Sequence, residues 1–184
     1  SLSELSPQKI AIIEKQIPIE AFVDEISLMS MVATDRQVDN RTALVEVRAV
    51  GDQYPLLGDL QIGGQNRRAS ELVEKPSVWI GPEVLAQLGV KVGDTVSIGR
   101  LKAEIVGVIE KESAVSSGPL GFAPHIFLAK RYIEPTELIQ FGSQVSYRRA
   151  FLFKNHQLEE IELAKLKSDL GEQMRKAELS ETEG

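Results

Sequence analysis

Cysteine is absent from the 184-residue sequence, and histidine occurs only twice, as His125 and His156. The lack of cysteine excludes disulfides, thiol nucleophiles and cysteine-ligated metal clusters, and the two histidines show no metal-binding spacing. Aromatic residues make up only 5% of the chain, which disfavours a stacking platform for bases or sugars. Acidic residues number 27 against 21 basic ones, and the formal charge of −6 argues against a nucleic-acid partner. We therefore expect neither a metal site nor a nucleic-acid site.

Long apolar runs and familiar catalytic motifs are also missing. No run approaches the roughly 18 apolar residues of a membrane span, and the first residues show no basic flank or apolar core of a signal peptide. No glycine pair is followed by the Lys-Ser or Lys-Thr of a phosphate loop, and no G-x-S-x-G motif occurs. No spacing singles out a pair of catalytic carboxylates either. The sequence predicts no catalytic residue and no cofactor.

The apolar patterns that are present predict a mixed α+β chain. Ser6 and Pro7 begin a first helix that Pro18 ends, and period-two alternation predicts a hairpin of strands over 19–34 and 43–50. Further predicted elements are strands over 78–80, 90–98, 101–110, 125–129 and 144–154, a helix from Pro82 to Leu88 that ends at Gly89, an interrupted helix over 130–139, and a charged last helix from Asn155. The middle part resembles a small β-barrel or sandwich.

Two apolar features are candidates for a binding surface. Met29 and Met31 alternate with small residues in the first strand, where they would either line a soft apolar surface or pack in a core, since strands apolar on both faces are normally buried. Phe122 lies in the loop segment Leu120–Pro124 and would either anchor a partner or lipid or plug the end of the barrel. Trp79, between two apolar neighbours in a short strand, is expected in the core.

The order of several segments resembles a known protein family. The segments are Ile26–Val32, Leu44–Val50, Tyr54–Gly58, Trp79–Val96, Ile105–Val108 and Leu138–Arg148. In this order they resemble the extracytoplasmic domain of FtsX-like ABC transporter permeases, and more narrowly the YbbP branch of the MacB superfamily. The Tyr-Pro-Leu and Gly-Ser-x-Val-Ser-Tyr-Arg pieces are the most specific. The chain departs from the family pattern at Leu57, at Gln144 and over residues 113–118, where an expected aspartate is missing.

The resemblance implies a MacB-like periplasmic core domain made of two parts. Residues 1–50 and 144–184 would form an α/β subdomain, called Porter, with stalk helices at its ends. Residues 51–143 would form a β-rich inserted subdomain, called Sabre. Because both crossings lie beside glycines, Gly51 and Gly142 are the candidate hinges between the two parts.

The function that the resemblance implies is non-catalytic. In this family, separate cytoplasmic subunits bind and hydrolyse ATP, and the permease passes the conformational change to its domain on the periplasmic face of the inner membrane. The implied partners are that cytoplasmic ATP-binding subunit, reached through membrane helices, a second permease copy and a periplasmic lysophospholipase-type esterase, with lipid-related cargo. Tyr54 and Leu57 join Met29, Met31 and Phe122 as the candidate cargo or partner surface. The alternatives are a docking module that regulates a periplasmic esterase or hydrolase, and a soluble β-barrel enzyme.

Overall fold

β-Strands make up most of the described chain, which covers residues 11–12, 19–35, 39–112 and 123–153 of the computed structural model. The strands are β1 (Ile19–Thr34), β2 (Thr42–Val50), β3 (Leu60–Ile62), β4 (Gln65–Asn66), β5 (Ser77–Ile80), β6 (Thr95–Ile98), β7 (Leu101–Glu112), β8 (His125–Ala129) and β9 (Ser146–Phe153). An α-helix, α1 (Pro82–Leu88), follows β5, and short 3₁₀ turns span Ala69–Leu72, Lys130–Tyr132 and Glu134–Thr136.

Six of these strands close into a ring of backbone pairings. β1 and β2 form an antiparallel hairpin, β2 runs parallel to β8, and β8 is antiparallel to β5. β5 then runs parallel to β7, β7 is antiparallel to β6, and β6 returns to β1 at Val32–Thr34. β3 and β4 extend the sheet beyond β7, and β9 pairs with β1. The closed ring therefore uses β1 and β2 as well as the middle segment that the sequence pointed to.

Two apolar cores lie on opposite faces of the ring strands. The first is inside the ring, because each of the six strands contributes alternate residues to it, and it also takes Val84 and Leu88 from α1. The second lies outside the ring, where the segment between β2 and β5 packs on β5, β7 and β8. Trp79 belongs to this second core and is 2% exposed, which confirms the prediction that it is a core residue.

The described strands divide between two compact units whose bounds fall within β1 and β9. Residues 23–150 form one unit, and the strand residues 19–22 and 151–153 belong to another. The first unit contains both β2 and β8, whose residues Glu46–Val50 and His125–Ala129 are paired in register. This ladder joins a strand of the predicted Porter part to a strand of the predicted Sabre part. The assignment of Porter and Sabre stays a prediction.

Several predicted elements have the expected bounds, and others do not. β1, α1 and β8 begin and end where the patterns placed them, and Gly89 ends α1 with a left-handed φ of 65°. The interrupted helix over 130–139 is wrong, since two 3₁₀ turns stand there and Glu137 adopts a positive φ of 54°. Ala11 and Ile12 are helical, but the rest of the first helix and the last helix lie outside the described residues. Within the described ranges, no helix is long and apolar enough to cross a bilayer.

Candidate functional site

The outer face of the β1–β2 hairpin carries three exposed apolar side chains, which we call the apolar patch. Met29 and Met31 are 41% and 51% exposed, and Met31 lies directly opposite Leu44, which is 54% exposed. Their neighbours Leu28, Val32, Ala43 and Val45 are buried in the first core, because successive side chains of a strand alternate between faces, and Ser30 is half-buried. The expectation of a strand buried on both faces is therefore wrong at this end of β1.

The other candidate surface residues do not join the apolar patch. Leu57 is 54% exposed, in the segment between β2 and β3. Tyr54 is only 2% exposed, so its assignment to an exposed surface is wrong. Its ring lies 5.3 Å from that of Phe127 in the second core, where both rings exclude water. Phe122 lies outside the described residues.

The two candidate hinge glycines have different surroundings. The Gly51 amide donates a hydrogen bond of 2.8 Å to the Asp24 carbonyl, so Gly51 extends the β1–β2 pairing by one residue. A Cβ placed on Gly51 would lie 3.1 Å from Cγ2 of Val23, which is a close approach. Gly142 lies in an exposed turn with a φ of 89°, a conformation that favours glycine.

A group of buried and half-buried ionisable side chains lies on the same outer face as the apolar patch. The Arg48 guanidinium donates to both carboxylate oxygens of Glu25, at 3.0 and 3.1 Å, and to both of Glu112, at 2.9 and 3.1 Å. Arg48 Nη2 also donates to the Tyr54 hydroxyl at 3.0 Å, and that hydroxyl donates to Glu112 Oε1 at 2.6 Å. His125 Nε2 lies 3.4 Å from Glu112 Oε2. We call Glu25, Arg48, Tyr54, Glu112 and His125 the ionic cluster.

Burial and mutual contact shift the pKa values of the cluster members. Burial by itself raises the pKa of Glu112, but the contacts with His125, Arg48 and the Tyr54 hydroxyl outweigh it and lower the pKa to about 2. Burial holds the pKa of Tyr54 well above its usual range. For Arg48, burial acts to lower the pKa, and the contacts with Glu25 and the other members more than reverse this effect. At neutral pH the cluster therefore holds a charged arginine against the charged carboxylate of Glu112.

The hydrogen bonds of the ionic cluster run between its own members. Both oxygens of Glu112 already accept hydrogen bonds from Arg48, and one of them also accepts the Tyr54 hydroxyl. A general base needs a lone pair that can reach a substrate proton, and these carboxylate lone pairs are directed at cluster members. Across the described part of the chain, no group of three or more acidic, histidine or cysteine side chains is arranged to hold a metal ion.

A second ionic contact joins β9 to β1. Arg149 of β9 donates to both carboxylate oxygens of Asp24 in β1, with Nη2 2.9 Å from Oδ2. Lys130, which follows β8, donates to the same Oδ2 at 2.8 Å. The hydrogen bond from Arg149 is the main reason that the pKa of Asp24 is lowered. Asp24 thus ties together elements that are more than a hundred residues apart in the chain, at separations of 106 and 125.

Sequence reasoning missed the ionic cluster. The available signal was Arg48 itself, a long cation in the apolar strand Leu44–Val50, which the period-two pattern places on the face opposite to Val47 and Ala49. The pattern does not reveal whether that face is covered by other segments. Here the segment that follows β2 covers it, and Arg48 is only 4% exposed.

Comparison with known proteins agrees with this architecture. The family model of the MacB-like periplasmic core domain matches residues 1–160. The ABC transporter permease YbbP of Escherichia coli (strain K12) is 31% identical over 119 residues, which is 65% of this chain. The chain corresponds to only 14% of the length of that permease.

Three solved structures share the fold at low sequence identity. The periplasmic region of MacB from Actinobacillus actinomycetemcomitans matches with a TM-score of 0.54 and 14% identity, over 91% of this chain and 75% of that one. A permease domain from Porphyromonas gingivalis gives 0.53 and 16%, over 90% and 74%. The extracellular domain of the noncanonic ABC-type transporter YknZ from Gram-positive bacteria gives 0.52 and 13%, over 83% and 74%.

These matches confirm the predicted α+β fold of the MacB type, because the family model spans all nine described strands and the solved structures repeat their arrangement. The chain belongs to the MacB-like periplasmic core domain family and is the periplasmic domain of an inner-membrane ABC transporter permease.

Proposed function

We propose that this domain passes an ATP-driven conformational change of its transporter to a lipid-related substrate in the periplasm, and that the apolar patch contacts that substrate. The supporting observation is the position of Met29, Met31 and Leu44, which are neighbours on one outer face and are 41%, 51% and 54% exposed. Single exposed apolar residues are ordinary, whereas adjoining ones indicate an interaction site. Methionine suits an acyl chain because its unbranched thioether adapts to irregular apolar shapes.

The proposal assigns ATP hydrolysis to a cytoplasmic subunit and places a second permease copy beside the first. Support comes from the family to which the chain belongs and from the relative whose name describes an ABC transporter permease. A lysophospholipase-type esterase is the competing occupant of the apolar patch, and in that case the domain would be a docking module.

The Asp24 contact supports a route for the motion. β1 and β9 hold the residues at which the compact unit over 23–150 begins and ends. Asp24 and Arg149 join these two strands through two hydrogen bonds. We infer that a displacement applied to either strand reaches the other directly, because a bidentate arginine–carboxylate pair fixes both direction and distance.

Methionine methyl NMR provides the test of the apolar patch. The chain has three methionines, and two of them lie in the patch, so Met174 serves as the reference signal. A monomeric lysophospholipid with one dodecanoyl chain, added to the methyl-labelled domain, should shift and broaden the Met29 and Met31 signals. Unchanged patch signals at lipid concentrations just below micelle formation would contradict the proposal.

A matched pair of variants distinguishes lipid binding at the apolar patch from nonspecific binding at any exposed apolar side chain. Met31→Ser with Leu44→Ser should abolish the lipid-induced shift of Met29, whereas Val92→Ser should not, although Val92 is equally exposed at 51%. In the full permease, the double variant should lower transport while ATP hydrolysis by the cytoplasmic subunit continues. If the double-variant domain still bound the lipid but no longer bound a purified esterase, the apolar patch would be a docking site for the esterase and not a contact for the substrate.

The predicted hinge at Gly51 and Gly142 has a test of its own. Val50 and Ala129 are register partners in the β2–β8 ladder, so a swing of residues 51–143 about Gly51 must separate them. The chain contains no cysteine, and Val50→Cys with Ala129→Cys therefore adds a single disulfide across neighbouring strands. The hinge prediction expects the oxidised permease to lose transport and to recover it on reduction. Transport at the normal rate in the oxidised state would show instead that the domain moves as one body.

A further inference from the structure

The side chain of His125 is held in an arrangement that only its protonated form satisfies. Its Nδ1 lies 3.1 Å from the Ala123 carbonyl oxygen, which can only accept, so this contact is a hydrogen bond when Nδ1 carries a hydrogen and donates it. In a neutral imidazole, Nε2 then has no hydrogen and presents a lone pair. That lone pair faces Glu112 Oε2, another acceptor, at 3.4 Å, and Nε2 is buried without a hydrogen-bond partner. A proton on Nε2 converts this acceptor–acceptor contact into an ion pair.

The charges around His125 favour that proton. Glu112 approaches from β7, and Glu46 is the register partner of His125 on β2. Arg48 of β2 and Glu25 of β1 lie behind Glu112 in the ionic cluster, and the Tyr54 hydroxyl completes it. Among these groups one arginine faces three carboxylates, so an imidazolium reduces an excess of negative charge. The Phe127 ring, edge-on at 5.5 Å, adds no charge.

The two residues in this contact occupy strand ends. Glu112 is the last residue of β7, and His125 is the first residue of β8. Those strands are not neighbours in the ring, because β5 lies between them. The Glu112–His125 contact is thus a side-chain link across β5 at the end of both strands. Two backbone hydrogen bonds report on this end of β8: Glu46 donates to the Pro124 carbonyl at 2.8 Å, and Gly81 donates to the His125 carbonyl at 3.0 Å.

We propose that His125 is a proton-operated tie between the end of β7 and the start of β8. When protonated, the imidazolium donates to Glu112 and to the Ala123 carbonyl together and holds the two strand ends in place. When neutral, the ring has one N–H for these two acceptors, so one contact opposes a lone pair to an acceptor and the start of β8 loosens. The inference does not depend on the function proposed above, since it concerns the domain alone.

The direction of the effect follows from linkage. The pKa of His125 is raised: burial opposes the charged form, and the Glu112 and Ala123 contacts more than compensate. A raised histidine pKa contributes stability that is complete below the unfolded value of about 6.5 and is lost as the pH rises through the folded value. The contact between His125 and Glu112 therefore stabilises the start of β8 at low pH and loses this effect as the pH rises.

Histidine NMR tests the first half of the proposal. The chain has two histidines, so the variant His156→Gln assigns both ring signals. His125 should titrate at higher pH in the folded chain than in the same chain unfolded in urea. In Glu112→Gln its midpoint should move down, because the facing carboxylate is gone. Equal midpoints in the folded wild type and in Glu112→Gln would overturn the tie, and neither measurement requires a His125 variant to fold.

Hydrogen exchange tests the second half. At about pH 5.5 the amides of Glu46 and Gly81 should be better protected from exchange in the wild type than in His125→Gln. The ratio of the wild-type protection factor to that of the variant should approach one at about pH 8.5. The amide of Leu85 in α1, which donates to the Gly81 carbonyl at 3.1 Å, is the control and should show no pH-dependent ratio. A Glu46 and Gly81 ratio that is the same at both pH values would also overturn the proposal.

Discussion

Replacing Arg48 by alanine should be among the most destabilising single substitutions in this domain. Arg48 is 4% exposed and Glu25 is 5% exposed, so the change leaves buried carboxylates without their cation. Breaking a buried ion pair by removing one partner typically costs about 3–5 kcal/mol. The guanidinium also lies 4.7 Å from the centre of the Phe127 ring, a cation–π contact that is worth about 1–2 kcal/mol when desolvated. We therefore expect the free energy of unfolding to fall by about 4 kcal/mol.

Urea denaturation measures this loss directly, with the fluorescence of the single tryptophan, Trp79, as the signal. Arg48→Lys keeps the charge but not the planar fork, so it should lose one or two charged hydrogen bonds, about 2 kcal/mol. Arg100→Ala is the control, because the Arg100–Glu137 pair is 78% and 55% exposed and should contribute under about 1 kcal/mol. If Arg48→Ala cost no more than Arg100→Ala, the cluster would not be the structural centre that its geometry indicates.

The remaining predictions concern the second core, acid stability and ligands. Trp79→Ala should cost about 3–5 kcal/mol of unfolding free energy in urea titrations, because the indole is fully packed in the second core. Gly107→Ala should cost about 1–3 kcal/mol by the same assay, since its Cβ would lie 2.3 Å from Ile62 Cγ2. The lowered pKa of Glu112 contributes stability above the unfolded value of about 4.5 that is lost as the pH falls towards about 2, and thermal melts of Glu112→Gln should lack this part of the acid transition. Calorimetry of the domain with ATP or with zinc should show no stoichiometric binding, because the sequence has no phosphate-loop motif and no metal-ligand spacing; a micromolar isotherm for either would contradict this expectation.

Local patterns account for the part of the fold that the sequence predicts well. The bounds of β1 follow from a period-two run, and those of α1 follow from a proline at its first position and a glycine that adopts the left-handed conformation just after it. The closure of the ring could not be predicted in this way. It depends on the parallel pairing of β2 with β8, which brings together Val47 and Ile126, residues far apart in the chain. Periodicity describes the faces of a strand and not its neighbours.

The candidate site shows the same limit. The sequence left Met29 and Met31 open between a surface and a core, and it grouped them with Tyr54; the two methionines are exposed, whereas Tyr54 is buried. A tyrosine next to a proline is typical of a loop, and the sequence shows no more than that. Tyr54 is buried because it contacts Arg48 and Phe127, which lie on β2 and β8. Long-range partners of this kind, such as Glu112, which is 64 residues from Arg48, leave no local trace.

The closed ring also limits the manner in which another chain can bind. Each ring strand has backbone partners on both sides, so its amide and carbonyl groups are largely taken up within the ring. Of the described strands, only β4 and β9 pair with a single neighbour, and β4 is two residues long. In strand addition, a peptide extends a sheet through main-chain hydrogen bonds. Among the described strands, β9 therefore offers the main edge to which such a peptide could bind. Recognition at the ring must come from side chains, and it will be governed by their shape and chemistry rather than by the backbone register of the partner.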